Sequence, residues 1–302
     1  MSLSRRDFLG QTAALLATTA LPFDVLAKKS GLKLGYSAIT WGGNDAQAIQ
    51  DIAALGFPGI QLRANTFGPY KAKPSELKAL LDAQKLTLAM FSSGNVEIDP
   101  AKEASTIDMH VAHASFVKAL GGKSLQLTNS ARPKDRPPTP EELKRLATVM
   151  NKIGEQTADL GVQATYHNHM HQLGETPEEV DVIVQAMNPK HMKLLLDVAH
   201  YHQGGGVPAK AVTQYRDILH ALHLKDTKSP VPGSDNPKTY KFVELGQGNV
   251  DLPAVFEALD KIKFKGWGVV ELDGVPDKSR SPRECGEISK RFLEEKMGMK
   301  LA

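Results

Sequence analysis

From Leu32 to the end of the chain, short apolar runs alternate with longer stretches of helical spacing. Apolar runs of about four to eight residues bounded by Gly, Asn or Ser read as buried strands. Apolar positions recurring every three to four residues read as helices packed on them. The strand-like runs are Leu32–Ile39, Gly59–Leu62, Leu86–Phe91, Ser124–Thr128, Val162–Tyr166, Lys193–Asp197, Ile218–Lys225 and Gly266–Leu272. The helical stretches are Asp45–Leu55, Pro74–Gln84, Ala101–Leu120, Glu141–Leu160, one opened by Thr176, a short one after Pro208, Leu252–Leu259 and Pro282–Met297. Thr176-Pro177-Glu178-Glu179 has the form of a capping box with Pro at the first helical position. Two long polar connections stand out, Arg132–Pro140 and Asp226–Asn249.

Eight strand-then-helix units in roughly 270 residues predict an α/β fold, a single (β/α)8 TIM barrel over residues 28–302. A doubly wound open sheet is the alternative. It lacks its fingerprint, because no Gly-x-Gly-x-x-Gly follows a strand.

The first 27 residues read differently. Ser4-Arg5-Arg6-Asp7-Phe8-Leu9 resembles a twin-arginine export signal, the apolar run Thr12–Leu21 follows, and Val25-Leu26-Ala27 has a small-x-Ala cleavage form. That apolar run is shorter than the ~20 residues a membrane span needs. The expectation is a cleavable signal over residues 1–27, carriage by the twin-arginine translocase and a periplasmic location. Folded export allows a cofactor to be loaded first.

Composition narrows the partners. Of 302 residues 41% are hydrophobic, enough for a large core. The 37 basic and 34 acidic residues nearly balance, and no basic run with interleaved aromatics marks a nucleic-acid surface. The single cysteine, Cys285, excludes an intrachain disulfide and reads as core.

The candidate chemistry sits where a barrel keeps it, at the C-terminal ends of strands. Thr165–His171 reads Thr-Tyr-His-Asn-His-Met-His, and alternation sends His167, His169 and His171 to one side of an extended strand. Other strand ends carry Trp41, Gln61 and Arg63, then Asp197 followed by His200 and His202, then His223 and Lys225, then Glu271 and Asp273. Two imidazoles and two carboxylates drawn from these ends suit a mixed nitrogen–oxygen site for a divalent cation. His110 and His113 share one helix face and read as packing. His171 reads as loop, and His191 and His220 as structural residues at the far end of the barrel.

These residues also carry a resemblance. Gly59-Ile60-Gln61-Leu62, Tyr166-His167-Asn168-His169, Leu196-Asp197-Val198-Ala199-His200, His223-Leu224-Lys225-Asp226, Leu245-Gly246-Gln247-Gly248 and Val270-Glu271-Leu272 occur in order along the chain. Together they resemble the xylose isomerase-like TIM barrels, the group of sugar isomerases, ketose epimerases and inosose dehydratases. The resemblance implies one divalent metal at the barrel mouth, held by His167, Asp197, His223 and Glu271. Mn²⁺ is the first choice, with Co²⁺, Zn²⁺ and Fe²⁺ as alternatives. It also implies a substrate-hydroxyl contact at His200.

One position departs from the epimerase pattern: strand five holds His167 where the epimerases hold Glu. A metal-bound neutral imidazole has used its lone pair and cannot be a base. Two-carboxylate epimerisation is therefore disfavoured, and one-base elimination beside a ketone is favoured. Glu271 or a nearby histidine would take the proton, and His169, His202 or Lys225 would protonate the departing oxygen. Trp41 and Gln61 are candidate substrate contacts, Trp41 by stacking on a sugar ring. The expected function is a metal-dependent lyase or dehydratase acting on a small carbohydrate, with a 3-keto-glycoside favoured because the protein is exported. The alternatives are isomerisation or epimerisation of a free ketose, and a non-catalytic exported sugar-binding protein.

Overall fold

Eight parallel strands close into a barrel in which each neighbours the next in sequence. The structure is a computed structural model that describes residues 31–231, 233–236 and 239–301. The expected signal segment, residues 1–27, lies outside the described residues. In chain order the elements are β1 (Lys33–Ser37), α1 (Asp45–Ala54), β2 (Gly59–Arg63), α2 (Pro74–Ala83), β3 (Thr87–Asn95), α3 (Glu103–Ala119), β4 (Ser124–Thr128), α4 (Pro140–Asp159), β5 (Gln163–His167) and α5 (Pro177–Ala186). Then follow β6 (Met192–Asp197), α6 (Val198–Gln203), α7 (Pro208–Gln214), β7 (Leu219–Leu224), β8 (Asp226–Lys228), β9 (Lys241–Val243), α8 (Leu252–Lys261), β10 (Trp267–Val270) and α9 (Pro282–Glu295). The pair β1–β10 closes the ring, with Lys33 opposite Trp267 and Tyr36 opposite Val270.

Most of the core lies between strands and helices, where residues such as Leu62, Leu125, Leu194 and Leu222 are fully buried. A second, smaller apolar cluster of Ala89, Met90, Leu195, Ala221 and Val269 is distinct from it. Strand alternation puts Leu195, Ala221 and Val269 on the same side as the residues two further on, Asp197, His223 and Glu271. Each of these three strands thus changes from an apolar plug to a polar site in a single two-residue step.

Helix starts follow local chemistry. Thr139 and Ser281 form reciprocal capping boxes with Glu142 and Glu284. At Thr176 the structure differs from the expected box. Thr176 accepts the Glu179 N–H, but the Glu179 carboxylate turns away to accept from Gly174, Glu175 and Arg132. Competing backbone donors upstream capture that side chain.

The polar stretch after β7 is not simply a loop. β8 and β9 pair antiparallel, Asp226 with Val243 and Lys228 with Lys241, forming a short arm. Three-residue strands carry too little periodicity to be read from sequence. Asp226 anchors the arm: its carboxylate accepts N–H groups of Thr227, Gly246, Gly248 and Val250 at 2.8–3.1 Å. Gly248 is required there, because a Cβ would lie 2.2 Å from the Asp226 carboxylate.

Candidate metal centre

Four strands deliver four donor side chains to one point. Asp197 and His223 are register partners on β6 and β7. His223 also pairs with Val269 of β10, two residues before Glu271. His167 closes the set from the end of β5, opposite Leu195. Ligand atoms of His167, Asp197, His223 and Glu271 all lie within 4.8 Å of one another, and all four residues are buried.

Each donor is held by a specific neighbour. His223 donates its Nε2–H to Gln61 Oε1 at 2.9 Å, which leaves Nδ1 as the free lone pair facing the cluster. The Gln61 amide donates in turn to Glu271 Oε2 at 2.9 Å and Ser37 Oγ at 3.2 Å. Asp197 caps α6: its Oδ1 accepts from the N–H groups of Ala199 and His200, so Oδ2 points away from the helix. Asn168 pairs with the Asp197 backbone as a strand would, accepting its N–H at 2.9 Å and donating to its C=O at 3.1 Å. Asn129 holds the His167 carbonyl at 3.0 Å.

Within this donor set three buried polar atoms, His167 Nδ1, Asp197 Oδ2 and His223 Nδ1, have no hydrogen-bond partner. Leaving such atoms unpaired is costly. His223 Nδ1 lies 3.5 Å from Asp197 Oδ2 and 3.3 Å from Glu271 Oε1. Orphaned lone pairs converging from two imidazoles and a carboxylate, with Glu271 beside them, fit a divalent cation.

Lys225 lies next to this set with no exposed surface. Its Nζ is 2.7 Å from Asp273 Oδ1, 3.2 Å from Glu271 Oε1 and 3.8 Å from Asp197 Oδ2. Burial opposes its charge, but Glu271, Asp197 and Asp273 outweigh it and hold its pKa above the ordinary lysine value. Burial alone would raise the Glu271 carboxyl; His223 and Lys225 reverse this and hold it below the ordinary range. Asp197, Glu271 and Asp273 thus set three carboxyl groups around the one Lys225 side chain.

The other histidines divide. His169 lies beyond the end of β5, with its ring 5.6 Å from His167 and 3.9 Å from His200. Its Nδ1–H donates to the Met170 carbonyl at 2.7 Å, so Nε2 carries the lone pair. Burial lowers its pKa. His200 is buried, with Nδ1 accepting the Met170 N–H at 3.2 Å and Nε2 3.3 Å from Lys225 Nζ. His167, His169 and His200 form a second trio whose ligand atoms lie within 4.8 Å of one another; His202 follows His200 on α6 but belongs to neither group. His171 is exposed and turns away at φ +64°.

Two expected substrate contacts are placed otherwise. Trp41 is buried, donates its indole N–H to Asp51 at 2.7 Å and meets Tyr36 edge-on, so its ring packs in the core instead of offering a stacking face. Both ends of the Gln61 amide are committed to His223, Glu271 and Ser37, which makes it a positioning residue for two donors. His110 and His113 are buried and share Ser93 Oγ at 2.6 and 2.8 Å, a packing role. His220 meets Ser124 at 2.8 Å.

Phe242 joins the site without having been assigned to it from sequence, and Asp273, read there only as a polar strand-end residue, joins it through Lys225. Asp273 follows Glu271 by two residues, and that spacing was its one available signal. The Phe242 ring comes from β9 and lies 4.1 Å from Lys225 Nζ.

The chain is similar to known proteins over most of its length. A family model described as "Xylose isomerase-like TIM barrel" matches residues 49–293. The inosose dehydratase of Lacticaseibacillus casei (strain BL23) is 25% identical over 302 residues, covering 90% of this chain and 98% of that protein. Among solved structures, the IOLI protein with a bound zinc atom superposes with a TM-score of 0.74 at 20% identity, covering 88% of this chain and 98% of that one. A D-allulose 3-epimerase from Methylomonas sp. superposes with a TM-score of 0.70 at 21% identity, covering 88% and 98%. With its closed eight-stranded barrel and four donors converging at the strand ends, the chain belongs to the xylose isomerase-like TIM barrel family.

Proposed function

We propose that the protein is a metal-dependent lyase that eliminates an oxygen substituent β to a ketone in an oxidised sugar, with 3-keto-glycosides as the substrate class. The observation that carries this reading is the identity of the fourth donor. Where a two-carboxylate proton shuttle would need its second carboxylate, β5 presents the buried imidazole of His167. The dehydratase relatives support elimination as a reaction available to this family.

His167, Asp197, His223 and Glu271 would hold the cation. A divalent metal bound there supplies Lewis acidity toward the substrate's ketone oxygen. Mn²⁺ is the first choice, and the zinc-bearing neighbour supports Zn²⁺ as an alternative.

The proton chemistry falls to the residues around this set. Glu271 is engaged by Gln61 and Lys225 and serves as a donor, not a base. His169 holds its free Nε2 beside the cluster and is only partly buried, so it takes the proton α to the ketone. The α C–H bond breaks, a C=C bond forms to the β carbon, and the β C–O bond breaks. The proton on His169 passes to the departing oxygen, giving an alcohol and an unsaturated keto sugar. The buried Lys225 ammonium stabilises negative charge during this transfer.

The export signal expected at residues 1–27 favours glycosides over phosphorylated sugars or intracellular cyclitols. The test is incubation of purified protein and Mn²⁺ with a 3-keto-glycoside. Release of the aglycone with rising ultraviolet absorbance of the conjugated ketone is expected. Unchanged 3-keto-glycoside together with interconversion of free ketoses would overturn the reading in favour of an epimerase.

A further inference from the structure

A row of three rings leads outward from the metal centre. Phe242 is the inner one, 4.1 Å from Lys225 Nζ and 5.1 Å from the His200 ring. Tyr240 comes next, 5.5 Å from Phe242 at an interplanar angle of 67°. His171 is outermost, nearly parallel to Tyr240 at 19° and 6.2 Å. Its Nε2 lies 3.1 Å from the Tyr240 hydroxyl. Tyr240 and Phe242 are two residues apart where the chain enters β9, which places them on one side of the arm.

The rings border a cavity of about 620 Å³, with Ser234 and Thr239 adding hydroxyl groups to its lining. That volume falls within the ~300–1,000 Å³ of small-molecule sites. The cavity does not contain the four donors; Phe242, which lines it, packs on Lys225, and Lys225 in turn lies 3.2 Å from Glu271. The His171 side chain is 74% exposed, and its backbone is left-handed at φ +64°. Histidine adopts that conformation more readily than most residues, and here its ring lies nearly parallel to Tyr240.

We propose that this cavity is the subsite for the second ring of a glycoside, the one that departs in the elimination; this rests on the lyase reading for which ring departs. A pyranose ring has an apolar C–H face and a rim of hydroxyls. Tyr and His rings offer flat faces with polar tips at little conformational cost. The ring being processed then lies over the donors, and the departing ring lies on Tyr240 beyond Phe242.

The test measures binding without turnover. Glucose, cellobiose and maltose are titrated calorimetrically into the full-length protein, and each affinity is expressed relative to glucose. At least one disaccharide binds roughly tenfold tighter than glucose. Tyr240→Ala brings that ratio to about one, while Tyr240→Phe retains most of it because the ring face remains. Circular dichroism of both variants confirms that the barrel is folded. Equal affinity for glucose and both disaccharides in the wild type, or an unchanged ratio in Tyr240→Ala, would overturn the subsite. A disaccharide preference without any 3-keto-glycoside turnover would keep the subsite and remove the lyase reading, so the two fail separately.

Discussion

Gln61 Oε1 accepts the Nε2–H of His223 across 2.9 Å of barrel interior, tying β2 to β7 past the two strands, β1 and β10, that separate them in the ring. The bond selects the tautomer that leaves His223 Nδ1 free for a cation. Gln61→Leu removes it and releases Glu271 from its second partner. Metal affinity should fall about 10–100-fold, the usual effect of deleting a partner behind a ligand. Competition with a chelating dye measures it, and an unchanged affinity would show that the amide orients nothing.

Asn168 continues the β5–β6 ladder with its side chain after the backbone pairing has ended. Asn168→Ala leaves the buried N–H and C=O of Asp197 unpaired. Each such group costs about 1–3 kcal/mol, so urea denaturation should show a loss of that order. The Asp197 amide should also exchange with deuterium faster than in the wild type.

Lys225 neutralises part of a buried acidic cluster. In Lys225→Met, Glu271 and Asp273 lose their buried counter-charge, and apo-protein stability should drop by about 3–5 kcal/mol. A saturating divalent cation should recover more stability in this variant than in the wild type, since it supplies the missing positive charge. Equal thermal shifts on metal addition in both proteins would contradict that electrostatic role.

His169→Gln keeps a polar side chain but removes the proposed base. Turnover of a 3-keto-glycoside should fall about 10²–10⁴-fold. Bound metal, measured by atomic emission, should stay at the wild-type level. Loss of metal would instead move His169 into the ligand set.

Burial is the main cause lowering His110 from an ordinary 6.5 to about 4. The unfolded chain therefore takes up a proton first as pH falls, and stability rises with pH across this window. The contribution is intact above pH 6.5 and is lost progressively down to about pH 4. In full it amounts to about 3 kcal/mol at 1.36 kcal/mol per pKa unit. Urea midpoints at several pH values should show a shallower acid slope for His110→Gln than for the wild type.

Much of this was legible in the sequence, for a physical reason. Barrel strands are short apolar runs, and a polar residue that ends one, as Asp197 ends Leu194-Leu195-Leu196, stands out. Alternation then gives its side. The contacts that hold those residues were not legible. Gln61 meets Glu271 across 210 residues of sequence, and nothing local marks it as a clasp instead of a substrate contact. Trp41 looked available because it ends a strand, yet α1 returns and offers Asp51 to its indole. Phe242 sits in a three-residue strand whose pattern is too brief to show.

The Asp226 anchor has an evolutionary consequence. All four of its N–H partners lie at the base of the arm, and none lies between residues 228 and 245. The outer part of the arm can drift, lengthen or be replaced without loosening the strand that carries His223. Change in the proposed second-ring subsite is thereby uncoupled from the placement of the donors. That one short segment can be rewritten while the donors stay in register.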